Sequence, residues 1–224
     1  MPEVFRTTDD GAFDVVRSEA DMAPALAEVQ AVCFPTLSPA EVIRAEHYRS
    51  HIAVYPEGQH AVRELATGRI VACSTDFRTR MDFGHYQHRY IDAVAGNTLT
   101  AHVPDGDWMY GADIGVHPDY QGRRLSTLLY IVRQELIRRL GLRGHITGGL
   151  PRGYHLHQRE LAIEEYVNAV VRETITDPTL SVQLRRGYLP YGIVPGYVDD
   201  PSTGGHGVLL IWRNPDLRTA RRDD

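Results

Sequence analysis

The chain has 224 residues, of which 42% are hydrophobic and 24% are charged, and its formal net charge is −5. These values are ordinary for a globular protein and exclude a wholly disordered chain. The acidic balance argues against a broadly basic, nucleic-acid-binding surface, and no apolar run reaches the roughly 18 residues that a membrane helix needs.

Hydrophobic periodicity and capping residues predict strands and helices along the chain. Ser18 caps the first helix. Ser38-Pro39-Ala40-Glu41 combines a cap, a proline at the first helical position and a capping-box glutamate at the start of the second. Thr67-Gly68 predicts a hairpin turn. The predicted elements are a strand at 13–17, helices from 18 and from 38, strands at 60–65, 69–77 and 108–116, a helix at 122–140, a strand at 145–148, helices around 163–171 and 177–187, and strands at 188–194 and 208–212.

Hairpins and one strand–helix–strand unit occur together in this order. That combination predicts an α/β (α+β) fold with a mixed central sheet of about seven strands, flanked by helices. We expect one domain over residues 13–213, an N-terminal segment 1–12 that frays, and a polar tail at 214–224.

The cellular compartment is predicted from the cysteines and the N-terminus. Cys33 and Cys73 are the two cysteines, and both lie in apolar patterns, which favours buried thiols in a reducing compartment. The first residues lack the basic start and apolar run of a secretory leader. We therefore expect a cytoplasmic protein with no nucleic-acid or membrane partner.

The strand at 108–116, the turn at 117–121 and the helix at 122–140 form the most informative unit of the sequence. A helix start leaves about four backbone N–H groups unpaired and carries partial positive charge, so it can hold a pyrophosphate. Arg123 and Arg124 stand in the first turn, where cations are unfavourable unless a polyanion binds there. The alternative is that both arginines are solvated on an exposed turn.

Val116-His117-Pro118-Asp119-Tyr120-Gln121-Gly122-Arg123 resembles the fourth-strand and turn motif of the GNAT superfamily of N-acetyltransferases. Leu184-Arg185-Arg186-Gly187-Tyr188 is similar to the end of the family's late helix. The resemblance implies a splayed sheet, with acetyl-CoA between the family's fourth and fifth strands. The family's turn is usually Gln/Arg-x-x-Gly-x-Gly/Ala, so this turn is degenerate, with Arg124 and Ser126 at the small-residue positions. We expect Arg124 to fit there with a negative φ.

The resemblance also implies which residues contact the cosubstrate. The main chain of Ile114, Gly115 and Val116 would pair with the pantetheine arm, and Gly115 is expected to form a strand bulge. The turn would line the pyrophosphate with seven consecutive residues, Gln121, Gly122, Arg123, Arg124, Leu125, Ser126 and Thr127.

Strand alternation puts Tyr110 on the face where the family carries its proton-relay groups, and Asp113 on the other face. Tyr110 is therefore the positional candidate for the base, through a water chain. Asp113 is chemically the better base, and it reaches the site only if a bulge turns it. Packing of Tyr110 and a capping or buried-pair role of Asp113 are the structural alternatives. The family's acid position holds Gln183, so Tyr154 and Ser181 are the candidate acids.

Segments 79–107 and 152–177 are longer than the family core needs, and we expect these inserts to recognise the acceptor. Their histidine pairs lack the surrounding pattern of a zinc site, so we expect no metal. The leading hypothesis is an N-acetyltransferase that moves an acetyl group from acetyl-CoA to an amine of a small molecule or peptide, by direct attack in a ternary complex. Exposed late strands favour a homodimer.

Two other functions compete with this hypothesis. Arg124 and Gln183 depart from the family pattern and favour a CoA-binding regulatory module with weak or no turnover. A scaffold that binds an anion other than CoA is the third hypothesis.

Overall fold

An open sheet of eight strands forms the centre of the fold within residues 2–219, the part of the chain that the computed structural model describes. The strands are β1 (Val4–Thr7), β2 (Phe13–Arg17), β3 (Gln59–Glu64), β4 (Ile70–Thr79), β5 (Trp108–Val116), β6 (Gly144–Gly149), β7 (Leu189–Val194) and β8 (Gly207–Arg213). Their order in the sheet is β1-β2-β3-β4-β5-β6-β8-β7. Neighbouring strands are antiparallel except β5 and β6, which are parallel.

Helices cover both faces of the sheet. In the described residues they are α1 (Ala23–Cys33), α2 (Ala45–Val54), α3 (Tyr90–Ala93), α4 (Leu125–Arg139), α5 (Ile163–Val171), α6 (Leu180–Arg185) and α7 (Asp216–Thr219). On one face Val16 and Ala61 pack with α1 and α2. On the other face Val15 and Val62, their neighbours in sequence, pack with α4. The sheet is therefore the middle layer of a three-layer fold.

The predicted fold class is confirmed, with one strand more than expected. The strand predicted at 108–116 coincides with β5. Val4–Thr7 lies in the N-terminal segment that we expected to fray, and it pairs with β2 at the sheet edge. Asp216–Thr219 forms α7 inside the predicted tail, and residues 220–224 of that tail lie outside the described residues.

The second predicted helix starts later than its local signals indicate. Ser38-Pro39-Ala40-Glu41 forms turns, and α2 begins at Ala45. Glu41 closes no capping box, because its carboxylate accepts a hydrogen bond from the backbone N–H of Asp199 at 2.8 Å. The backbone N–H of Ser38 donates to the carbonyl of Asp199 as well. A tertiary contact has replaced the predicted cap, so that prediction was wrong.

Strands β5 and β6 separate soon after they meet. They pair only between Met109–Gly111 and His145–Thr147. A Cβ on Gly111 would lie 2.4 Å from Cε1 of His145, so a glycine is needed where the two strands are still in contact. Beyond this point the sheet is open at the carboxyl ends of two parallel strands, which is where ligands bind in open sheets of this kind.

Candidate active site

A cleft of about 220 Å³ fills the gap between β5 and β6. Strand β5 contributes Gly111–Val116, which includes the three residues predicted to pair with a pantetheine arm. Helix α4 contributes Ser126, Tyr130 and Arg133 to the opposite wall. The cleft therefore joins the end of the parallel strand pair to the turn that starts α4.

Strand β5 carries a bulge at Ala112. In the ladder with β4 the register shifts between Gly111 and Asp113, so Ala112 has no partner. We expected the bulge at Gly115, and that prediction was wrong, since Gly115 pairs regularly with β4. A bulge adds one residue and breaks the alternation of side chains between the faces. As a result Ala112 and Asp113 both line the cleft.

The turn after β5 has two residues in the left-handed backbone region. Gly122 has a φ of 79°, and Arg124 has a φ of 61° and a ψ of 17°. The negative φ predicted for Arg124 was therefore wrong. Arg124 is the N-cap of α4, which begins at Leu125 and not at Gly122. A left-handed conformation costs a residue with a side chain about 1–2 kcal/mol, so the turn is strained where the resembled motif usually has glycine.

The turn residues differ in what their side chains face. Gln121 and Ser126 line the cleft. The Arg123 guanidinium lies over the ring of Tyr120, 5.3 Å from its centroid, and Leu125, the first residue of α4, is buried against the sheet. Of this turn, Gln121 and Ser126 therefore form the wall next to the cleft, and the two arginines are not part of its lining.

Asp113 is a buried carboxyl group at the bulge. Its Oδ2 accepts hydrogen bonds from the Tyr48 hydroxyl at 2.9 Å and from the Cys73 thiol at 3.7 Å. Burial raises the pKa of Asp113 to about 6, although these two bonds and Arg133 partly oppose the rise. A carboxylate with this pKa is ionised at neutral pH and still basic enough to take a proton from a substrate.

A smaller pocket of about 40 Å³ adjoins the cleft. Five residues line both cavities: Phe34, Ala112, Asp113, Gly148 and Leu150. The other walls of the smaller pocket are Gln30, Leu37, Tyr90, Tyr197 and Val198. Asp113 therefore lies where the two cavities meet.

Tyr110 lies outside the cleft lining, in a group of hydrogen-bonded side chains. Its hydroxyl oxygen is 2.8 Å from Nε2 of His88 and 2.9 Å from the hydroxyl of Tyr197. Burial raises the pKa of Tyr110 well above its ordinary value. A phenol held in this way stays protonated at neutral pH, so Tyr110 is less suited than Asp113 to act as the base.

A buried ion pair between Arg133 and Asp76 lies where β5 and β6 diverge. Arg133 Nη2 lies 3.0 Å from Asp76 Oδ1 and donates to the main-chain carbonyl of Asp113 at 3.2 Å. Burial lowers the pKa of His145 to about 4 and leaves its ring neutral. Its Nε2–H then donates to Asp76 Oδ1 at 2.9 Å, while Nδ1 accepts from the Tyr188 hydroxyl at 3.0 Å.

The ion pair with Arg133 keeps the Asp76 carboxyl of this network ionised. Burial alone would raise the pKa of Asp76, but Arg133 and His145 outweigh burial and hold that pKa below its ordinary value. The carboxylate is therefore ionised at neutral pH. Because Arg133 also binds the Asp113 carbonyl, the pair fixes the main chain of the bulge.

The structure does not bring the two predicted acids, Tyr154 and Ser181, to the cleft. The Tyr154 hydroxyl donates to the carbonyl of Leu161 at 3.2 Å. Ser181 Oγ accepts from the backbone N–H of Asp177 at 3.0 Å. Gln183, at the position where the resembled family often has its acid, does line the cleft.

Solved structures share this arrangement of strands and helices. One is GphF, a GNAT-like decarboxylase in complex with isobutyryl-CoA, with a TM-score of 0.72 and 20% identity over 89% of this chain and 98% of that one. Another is the ribosomal-protein-S5-alanine acetyltransferase from Vibrio fischeri, with a TM-score of 0.58 and 10% identity over 96% of this chain and 98% of that one. No family model matches the chain.

Two proteins of Bacillus subtilis (strain 168) are similar in sequence. The chain is 35% identical over 190 residues to the probable hydrolase YhcX, covering 84% of this chain and 36% of YhcX, so it spans about a third of that relative. It is 30% identical over 190 residues to the uncharacterized N-acetyltransferase YkwB, covering 84% of this chain and 83% of YkwB. The chain belongs to the GNAT superfamily of N-acetyltransferases. The resemblance to this superfamily is thereby confirmed.

Some cleft residues of this GNAT enzyme were not singled out from the sequence. Tyr130 follows Ser126 by four residues, a spacing that puts both side chains on one face of the helix. That spacing was the available signal. Arg152 lines the cleft and donates from Nη1 to the carbonyl of Cys33 at 2.9 Å. No local pattern indicates a contact between residues so far apart in the chain.

Residues 2–219 of this GNAT enzyme contain no group of three or more side chains placed to hold a metal ion. The histidines of the inserts have protein partners, for example His85 Nδ1 with Asp82 Oδ2 at 2.8 Å and His155 Nδ1 with the carbonyl of Arg152 at 3.0 Å. In the same residues, no helix combines the length and apolar character that crossing a bilayer requires.

Proposed function

We propose that this enzyme transfers an acetyl group from acetyl-CoA to an amino group of a small molecule or peptide, by direct attack of the amine in a ternary complex. The observation that carries the proposal is the place of Asp113, a buried carboxyl where the cleft and the smaller pocket meet. With acetyl-CoA in the cleft and the amine in the smaller pocket, the thioester, the nucleophile and a base come together. The isobutyryl-CoA complex of GphF supports CoA thioesters as the ligand class.

The cosubstrate would lie along β5 and the turn that follows it. The main chain of 114–116 would pair with the pantetheine arm, and the amides of 121–127 would hold the pyrophosphate. The turn is open enough for this, because a Cβ on Gly122 would meet no atom within 4 Å. The exposed Arg124 side chain would add a charge-assisted contact to a phosphate oxygen.

The first chemical task of the chain is to deprotonate the acceptor. An amine reaches the enzyme mainly as an ammonium ion and must lose a proton before it attacks. Asp113 takes that proton, because burial raises its pKa to about 6 and keeps it basic at neutral pH. Ala112 lies at the bulge of β5 and lines the cleft, and in this proposal its main-chain N–H donates to the thioester oxygen as negative charge develops.

Tyr130 takes the role of acid in this proposal, in place of Tyr154 and Ser181. It is the only tyrosine among the described residues that line the cleft. Burial raises the pKa of Tyr130, so its hydroxyl is protonated at neutral pH and can donate to the departing thiolate. A thiol pKa near 8.5 makes the thiolate a fair leaving group without help, so loss of the Tyr130 hydroxyl should cost less activity than loss of the Asp113 carboxylate.

A thiol-release assay with acetyl-CoA tests the proposal over a panel of amino acids, polyamines, aromatic amines and short peptides. We expect amine-dependent release of CoA and a product that is one acetyl group heavier than the acceptor. Asp113→Asn should lower kcat by about 100-fold or more, whereas Asp105→Asn, in an exposed ion pair, should leave it unchanged. An enzyme that binds CoA in calorimetry but releases no thiol with any amine would contradict acetyl transfer.

A CoA-binding regulatory module is the second candidate function. Gln183 lines the cleft at the family's usual acid position, and an amide cannot protonate a thiolate. Saturable CoA binding with no turnover over the amine panel would favour this role, and amine-dependent thiol release would exclude it. A scaffold for another anion predicts no CoA binding at all.

A further inference from the structure

A third cavity, of about 350 Å³, lies beside the active site under the insert at 79–107. His88 and Tyr110 form part of its wall. Among residues 2–219, none lines both this cavity and either the cleft or the smaller pocket. The acetyl transfer described above uses none of its side chains, so the role of this cavity is open.

Three side chains connect the third cavity to the smaller pocket. Tyr197 lines the smaller pocket, and its hydroxyl is 2.9 Å from that of Tyr110. The Tyr110 hydroxyl is in turn 2.8 Å from Nε2 of His88. Both tyrosines are buried, whereas His88 is half-buried. A continuous line of hydrogen bonds thus runs from the proposed acceptor site to an open cavity.

The direction of these hydrogen bonds follows from the far end of the line. Nδ1 of His88 lies 2.8 Å from the main-chain carbonyl of Tyr86. A carbonyl can only accept, so Nδ1 carries the hydrogen, and Nε2 of the neutral ring must accept. Tyr110 therefore donates to His88, and Tyr197 donates to Tyr110. Each hydrogen bond points outward, away from the acceptor site.

We propose that Tyr197, Tyr110 and His88 relay the proton released by the acceptor amine from the smaller pocket to solvent in the third cavity. This proposal rests on the acetyl transfer proposed above. The reaction requires such a route, because Asp113 must lose the proton that it has taken before the next turnover. CoA still occupies the cleft at that moment, so the proton needs a way out other than the cleft.

The relay balances atom by atom. The proton on Asp113 passes through a water to the hydroxyl oxygen of Tyr197, while Tyr197 gives its own proton to Tyr110. Tyr110 gives its proton to Nε2 of His88, which becomes an imidazolium ion. His88 then releases one proton to water in the third cavity, and the two hydroxyls rotate back. Each tyrosine gains one proton and loses one.

The smaller pocket has room for the water that this transfer needs. It holds about 40 Å³, and a water needs roughly 10–15 Å³, so a water fits between Asp113 and Tyr197. At the outer end, His88 and Tyr110 share the wall of the third cavity with five other charged or titratable side chains, Arg80, Asp82, His85, Tyr86 and Asp92.

Two histidine substitutions test the relay by kinetics, with the fastest acceptor of the amine panel. His88→Gln can still accept from Tyr110 and donate to Tyr86, but it cannot carry a proton. We expect it to lower kcat about tenfold to 100-fold without changing the KM for acetyl-CoA. His85 is an exposed histidine in the same cavity, and His85→Gln is the matched control. It should keep kcat within about twofold, a much smaller change than the loss of one proton-transfer group causes.

Chemical rescue separates proton transfer from packing. In His88→Ala, imidazole should restore kcat in proportion to its concentration, because it fits the vacated space and accepts a proton. Pyrazole has the same size and is far less basic, so it should restore nothing. Tyr110→Phe should lose as much activity as His88→Gln, and the double variant should lose no more than either single one. Full activity in His88→Gln, or equal rescue by pyrazole, would overturn the relay.

A measurement that needs no turnover tests the direction of the relay separately from the proposed function. Nitrogen chemical shifts of His88, assigned by comparison with His88→Gln, report which ring nitrogen carries the hydrogen. We expect the Nδ1–H form at neutral pH. The Nε2–H form would overturn the relay even if the enzyme acetylates amines. If no amine is acetylated, the proposed function fails, while the Nδ1–H form would still support the outward direction of the line.

Discussion

Replacing Asp113 with asparagine should lower the activity of this enzyme. It should also raise the stability of the variant relative to the wild type as the pH rises from acidic to alkaline. Both effects have the same cause. Burial raises the pKa of Asp113 from 3.8 to about 6, so this carboxyl binds a proton more tightly in the folded protein than in the unfolded chain. That property makes Asp113 a base, and it also makes its ionisation costly to the fold.

The size of the stability effect follows from the pKa shift. The shift from 3.8 to about 6 is worth about 3 kcal/mol at roughly 1.4 kcal/mol per unit. Because the folded-state pKa is the higher one, Asp113 favours the folded state below pH 3.8, and this contribution is lost as the pH rises through 6. About 2 kcal/mol of the loss falls between pH 4 and pH 8 by the same relation.

Urea unfolding of the wild type and of Asp113→Asn at pH 4 and pH 8 measures this difference. We expect the unfolding free energy of the variant, relative to the wild type, to be about 2 kcal/mol more favourable at pH 8 than at pH 4. In the same preparations kcat/KM of the wild type should fall below pH 6, and the variant should be nearly inactive. A relative stability that is the same at both pH values, or a fully active variant, would refute the assignment of Asp113 as the base.

Three further perturbations test other parts of the account. Arg124→Glu should weaken CoA binding by ~1–3 kcal/mol in calorimetry, because the side chain contacts a phosphate in this proposal. Arg124→Gly keeps the left-handed backbone and so measures the loss due to the side chain alone. Unchanged affinity in both variants would place Arg124 in solvent. Asp76→Asn should lower the free energy of unfolding, measured in urea, by about 3–5 kcal/mol, because the buried guanidinium of Arg133 loses its carboxylate. Asp105→Asn, in an exposed ion pair, should cost less than about 1 kcal/mol. Similar losses in the two variants would contradict the role of the buried pair. Gly148→Ala should lower the melting temperature and kcat, because its Cβ would lie 2.0 Å from Cζ of Tyr197; wild-type values of both would show that the Tyr197 ring can move at no cost.

The strands that frame the site could be predicted because their signals are local. Apolar and β-branched residues run through 108–116, and the predicted strand coincides with β5. The family resemblance carried by the turn at 117–121 implied that Ile114–Val116, Gln121 and Ser126 lie next to a ligand, and these residues line one cleft. The strand followed from local patterns, and the cleft residues followed from the resemblance.

The details that decide the chemistry depend on contacts between distant parts of the chain. The bulge arises at Ala112, where β4 and β5 change register, and no residue type at that position signals it. Arg124 takes a positive φ that an arginine alone would avoid, and the surrounding turn imposes it. Tyr130 and Arg152 reach the cleft only because α4 and the segment after β6 are packed on either side of the open strands. Such residues become visible only in three dimensions.

We propose that acetyl-CoA lies between β5 and β6, with its pyrophosphate at the start of α4. A crystal structure of the protein with acetyl-CoA would show this binding mode. We expect the pantetheine arm along Ile114–Val116, the pyrophosphate on the main-chain amides of 121–127, and the thioester beside Ala112 and Asp113. A cosubstrate bound elsewhere, or a cleft filled by the protein's own side chains in that crystal, would contradict it.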